Sequence, residues 1–145
     1  MKKDLEVAKV RKTYEISGVD FARAGEASSN FKTILKQLGL PVEVVRKVAI
    51  SMYEAEINTV IHGGGGFCDA EITDKNIVIS FTDNGPGISN IELAMKEGYS
   101  TATDSVRELG FGAGMGLPNM KKYTDDLQIK TKPGEGTTVI LTINL

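Results

Sequence analysis

One cysteine, Cys68, and one histidine, His62, stand in 145 residues, and tryptophan is absent. A lone cysteine excludes an intramolecular disulfide and suits a reducing compartment. One His and one Cys cannot build a His/Cys zinc site, which leaves oxygen-ligand chemistry such as Mg²⁺ open. An excess of either charge is also missing: 17 Lys and Arg face 19 Asp and Glu, for a net charge of −2. That balance argues against a polyanion-binding protein, nucleic acid included. No window approaches 18 apolar residues, and the basic start Met1-Lys2-Lys3 is not followed by an apolar signal core. The expectation is a cytoplasmic protein without a membrane partner, forming one domain over residues 1–145 with its own core.

Glycine is what the sequence has in excess. Sixteen are present, above the roughly 7% average, and only Gly18, Gly25 and Gly39 precede residue 60. The others cluster at Gly63 to Gly66, Gly85 and Gly87, Gly98, Gly110 to Gly116 at alternate positions, and Gly134 with Gly136. Clusters of this kind mark tight turns or a backbone that a ligand approaches closely.

The hydrophobic periods supply a frame for these clusters. Residues 4–17 read as an edge strand. Asp20 reads as the N-cap of a helix with Phe21, Ala24, Ala27, Phe31, Ile34 or Leu35, and Leu38 at helical spacing, stopped by Gly39. Pro41 opens a second helix that runs toward His62. Two strands, 68–74 and 76–83, follow on either side of a short turn. Ser89-Asn90 would cap a short helix to Glu97, and residues 98–113 read as a mobile loop. A helix from Leu117 to Leu127 and strands at 127–132 and 137–145 complete the order β-α-α-β-β-α-α-β-β. This order predicts an α/β two-layer sandwich, a mostly antiparallel mixed sheet covered on one face by helices.

Three constellations could carry chemistry. Glu54, Asn58 and His62 fall at intervals of four on the second helix, so they stack on one face about 6 Å apart. A carboxylate and an amide oxygen so placed suit a general base and a Mg²⁺ ligand, although a solvated polar face shows the same spacing. Asp83-Asn84-Gly85-Pro86-Gly87 follows the most apolar strand. The carboxylate there can meet a purine amino group while Gly85 and Gly87 let the ring lie on the main chain. An Asn-Gly turn is the plainer alternative. The run Gly110, Gly112, Gly114, Met115, Gly116, Leu117 precedes a helix and exposes backbone N–H groups where phosphate is readily received. Neither the Rossmann spacing nor a Gly-Lys P-loop is present.

Taken in order, E-x-x-x-N at 54–58, D-x-G-x-G at 83–87, G-x-G-x-G-x-G-L at 110–117 and Gly136-Thr137 resemble the N, G1, G2 and final Gly-Thr elements of the GHKL ATP-binding superfamily. The resemblance implies its Bergerat fold with a mobile ATP lid. EGYSTA (97–102), GMGLPNMKKYTDDLQI (114–129) and PGEGTTV (133–139) resemble the serine/threonine kinases of bacterial partner switching, the anti-sigma-factor and RsbT-type switch kinases. By resemblance, Glu54 is the general base, Asn58 holds Mg²⁺, and Asp83, with Gly85, Gly87 and Thr137, forms the adenine pocket. Gly110, Gly112, Gly114 and Gly116, in one loop with Met115 and Leu117, offer N–H groups to the phosphates of ATP. His62 stands near the phosphates and Arg107 is a lid contact, with a helix-end His and a solvated Arg as the alternatives.

The resemblance implies a Mg-ATP-dependent kinase whose substrate is a STAS-domain antagonist protein, with a sigma factor or regulatory phosphatase downstream and a homodimer left open. A nucleotide-gated binding module without kinase activity is the alternative. A histidine-kinase catalytic domain is weaker, because the lone His62 lies in the proposed site rather than on a dimerisation helix.

Overall fold

Strict alternation in residues 76–83 predicts a strand with one covered face, and such a strand forms the centre of the sheet. A computed structural model of the chain describes residues 10–85, 116–132 and 134–145. It contains β1 (Val10–Ser17), α1 (Glu26–Gln37), α2 (Val42–Ile61), β2 (Gly65–Ile72), β3 (Asn76–Asp83), α3 (Gly116–Lys122), β4 (Asp126–Thr131) and β5 (Thr137–Asn144). The strands lie in the order β1-β2-β3-β5-β4. Every ladder between them is antiparallel, so the mixed sheet expected from sequence is corrected to an antiparallel one among the described residues.

Alternate residues of β3 and β5 face the helices. Ile77, Ile79 and Phe81 pair across the ladder with Ile143, Leu141 and Val139, and all six are buried. Phe31 and Leu35 of α1, Val48, Met52 and Ala55 of α2, and Leu117 and Met120 of α3 close the core from the other side. Each large apolar side chain buried this way contributes about 1.5–3 kcal/mol. Helix α2 is flanked by α1 and α3 and packs on the sheet. That central place explains why it buries residues on several sides, including Ser51, Glu56 and Thr59.

Two helix boundaries differ from the sequence reading. Asp20 caps a 3₁₀ turn, Phe21–Arg23, by accepting from Ala22 N. The longer helix starts only at Glu26, after Gly25 in left-handed backbone (φ 98°). The last helix ends at Lys122 rather than Leu127. Thr124 Oγ1 bonds Met120 O at 2.8 Å, Asp125 N donates to Thr142 O, and β4 pairing takes the chain from Asp126. Among the described residues no helix is long and apolar enough to cross a membrane.

Candidate functional site

The inward-facing set of β3 ends in a charge: Asp83 continues the series Ile77, Ile79, Phe81 and is only 7% exposed. Its cross-strand neighbours are Gly66 of β2 and Thr137 of β5. Oδ1 accepts from Gly85 N at 2.8 Å and Thr137 N at 3.2 Å. Among the described residues no donor reaches Oδ2. Thr137 is itself buried, and its hydroxyl lies 3.0 Å from Thr131 Oγ1.

Gly63, first of the run Gly63 to Gly66 that has no chemical assignment in the sequence, lies against this carboxylate. A Cβ on Gly63 would stand 2.5 Å from Asp83 Cγ and Oδ2. Gly65 and Gly66 are not a loose helix exit but the first two residues of β2, and a Cβ on Gly66 would overlap Thr82 O. Glycine here lets the end of α2 close over the ends of β2 and β3.

Glu54 and Asn58 sit one turn apart on α2, both half-buried. Oε2 of Glu54 accepts from Asn119 Nδ2 of α3 at 3.2 Å. Oε1 faces Gly116, where a Cβ would be 3.8 Å away. His62 is the C-cap of α2, its backbone N–H bonded to Asn58 O, and burial lowers its pKa below the ordinary histidine value. Thr59, a departure from the pattern of the resemblance, is accommodated because its hydroxyl bonds Ala55 O at 2.9 Å within the helix. Leu117 is buried in the core, so only its backbone is available to a ligand.

Sequence reasoning missed Glu56. Two residues from Glu54 is about 200° around a helix, so Glu56 points toward α1. It accepts from Gly25 N and Ala27 N at Oε2, 2.9 and 3.1 Å, and from Ser28 N at Oε1, 2.9 Å. Helix α1 has no cap of its own, and this carboxylate supplies one from the neighbouring helix. A glutamate between the core residues Ala55 and Val60 was the available signal. Asn119 was missed as well, a polar side chain between the buried Leu117 and Met120.

Gly87, Arg107, Gly110, Gly112, Gly114 and Met115, with the expected helix to Glu97 and the expected lid, lie outside the described residues. Of those that are described, Asp83, Gly85 and Thr137 meet where α2 ends, β3 ends and β5 begins, and Glu54 and Gly116 meet where α2 faces α3. Residues 44–145 match the family model described as histidine kinase-, DNA gyrase B-, and HSP90-like ATPase. The chain belongs to this ATPase family.

Relatives within reach of this ATPase chain include the anti-sigma F factor of Clostridium beijerinckii, 32% identical over 127 residues, 83% of this chain and 82% of that protein. The anti-sigma F factor of Thermoanaerobacter pseudethanolicus is 33% identical over 111 residues, 73% of this chain and 74% of that one. The solved structure of the RsbU and RsbW domains from Mycobacterium tuberculosis shares the fold, with a TM-score of 0.63 at 18% identity. The match covers 93% of this chain and 32% of that longer one. Membership of an ATPase family makes ATP the nucleotide to fit against the Asp83 end of the sheet.

Proposed function

We propose that the chain is one ATP-binding domain acting as a cytoplasmic, Mg-ATP-dependent protein serine/threonine kinase of a partner-switching system. Its substrate is a STAS-domain antagonist, and its output controls a sigma factor or regulatory phosphatase. The observation that carries this reading is the Glu54 carboxylate, held at Oε2 by Asn119 and, among the described residues, without a donor at Oε1, one turn from Asn58. The anti-sigma F relatives support the pathway class.

The residues divide the work as phosphoryl transfer requires, by positioning and charge neutralisation. Asp83 offers Oδ2 to the adenine amino group, and Gly85, Gly87 and Thr137 complete that pocket. Gly110 to Gly116 turn N–H groups toward the phosphates, with His62 and Arg107 beside them. Asn58 contributes a neutral oxygen suited to Mg²⁺, a cation that keeps several waters and takes few protein ligands. Among the described residues no three His, Cys, Asp or Glu cluster at metal-binding spacing, so such an ion would complete its shell with phosphate oxygens and water. When bound, it neutralises phosphate charge. Glu54 takes the proton of the acceptor hydroxyl as that oxygen bonds the γ-phosphorus. The bond from phosphorus to the bridging oxygen breaks, and ADP leaves with that electron pair.

The test is transfer of label from γ-³²P-ATP to a purified STAS-domain antagonist protein. Transfer by the wild type and none by Glu54→Gln is the expected result. Nucleotide-dependent partner capture without transfer would instead favour the nucleotide-gated binding module, the reading that the anti-sigma name of the relatives also suits.

A further inference from the structure

The contact from Asn119 Nδ2 to Glu54 Oε2, 3.2 Å long, ties the candidate base to the helix that directly follows the glycine run. A carboxylate only accepts, so the amide must present its nitrogen to it. Gly116 lies three residues earlier on α3, hence on the same face, and looks onto the other oxygen: a Cβ there would be 3.8 Å from Oε1. Helix α3 therefore treats the two oxygens differently, with a donor on one and, among the described residues, none on the other.

We propose that Asn119 is a positioning residue for phosphoryl transfer, holding Oε2 so that Oε1 is turned to the acceptor hydroxyl. The inference rests on the reading of Glu54 as the base. A glutamate side chain has three rotatable bonds, and among the described residues Asn119 is the one hydrogen-bond donor that selects a rotamer for Glu54. The amide does not ionise near neutral pH, so it orients the base without replacing it. Misplacing a reacting group by about 1 Å costs up to about a hundredfold in rate, which sets the scale of what one orienting bond protects.

The transfer assay tests this. Asn119→Ala should lower kcat about tenfold with KM for ATP and thermal midpoint unchanged. An unchanged kcat in Asn119→Ala, with the wild type active, overturns the positioning role alone. A loss carried by KM, or matched by a loss of stability, means a structural role and overturns the proposal. No transfer by the wild type overturns the kinase reading and the positioning role with it.

Discussion

Helix α2 carries two glutamates two residues apart, and their surroundings could hardly differ more. Glu56, 2% exposed, faces α1 and accepts three backbone N–H groups. Glu54, half-buried, faces α3 and accepts one side-chain amide. The first has its acceptor capacity taken up by the start of a helix, where charge-assisted bonds and the helix dipole both favour a carboxylate. The second keeps an oxygen unengaged among the described residues and free for chemistry. One side of α2 is built to hold the molecule together; the other leaves a group to react.

Exchanging the charge for an amide at each position should separate the two roles most sharply. Glu54→Gln should reduce phosphoryl transfer by about 10²–10⁴-fold, the range of general-base catalysis, with a thermal midpoint close to the wild type. Glu56→Gln should leave residual transfer at permissive temperature but lower the midpoint. Transfer retained by Glu54→Gln would remove the functional half of the comparison.

Truncation at Glu56 tests the structural half. Glu56→Ala strips the start of α1 of its acceptors and leaves Ala27 N and Ser28 N, both on buried residues, without partners. Hydrogen bonds to a charged group contribute about 1.5–3 kcal/mol each, and these three are not additive. The expected loss is about 3 kcal/mol, read by urea unfolding. A loss below about 1 kcal/mol would show that water caps α1 equally well.

Asp83 lies between these extremes and sharpens the contrast, since one oxygen is engaged twice and the other, among the described residues, by no donor. Asp83→Asn preserves the volume but presents an NH₂ at one of the two oxygen positions. Either it repels the backbone N–H groups or it opposes a donor on the nucleotide. Nucleotide affinity should fall about tenfold or more, equal to about 1.4 kcal/mol, measured by calorimetry with ADP. Gly63→Ala should reproduce the loss without touching the carboxylate chemically, because its Cβ would stand 2.5 Å from Asp83 Oδ2. Equal affinity in both variants would undo the adenine assignment.

The sequence made these regions unequally legible. The strand at 76–83, the second helix and the antiparallel closing hairpin follow from period-2 and period-3.6 patterns, and these depend on local chain geometry. Asp83 and Glu54 were legible through their motifs, and the structure sets Asp83 at the end of β3 and Glu54 against α3. Glu56, Asn119 and Gly63 to Gly66 were not, since each acts on a residue distant in the chain. Glu56 reaches a helix 28 to 31 residues away, and Asn119 reaches back 65 residues. No local period encodes such a contact. The misplaced start of α1 has the same origin: Asp20 has the chemistry of a cap, but the cap that α1 uses comes from Glu56.

His62, at the end of α2 nearest Asp83, gives the mildest test of which side of the helix tolerates a charge. Burial lowers its pKa below 6.5, so the folded protein binds the proton less readily than the unfolded chain. Stability is fully present above about pH 6.5 and falls as pH drops from there through the folded value, because the unfolded state then holds more protons. Below the folded value this contribution is lost and changes no further. The urea midpoint of the wild type should therefore decline between pH 7 and pH 5, and His62→Gln should flatten that part of the decline. Tyr14 provides the opposite limb. Burial first, and the charge of Glu56 after it, push its phenol up to about 12. Its contribution is intact below about pH 10 and is lost as pH rises toward 12, a decline that Tyr14→Phe should remove. Flat acid behaviour in the wild type would mean that the α2 terminus takes up a charge at no cost, and so is as open as the Glu54 face.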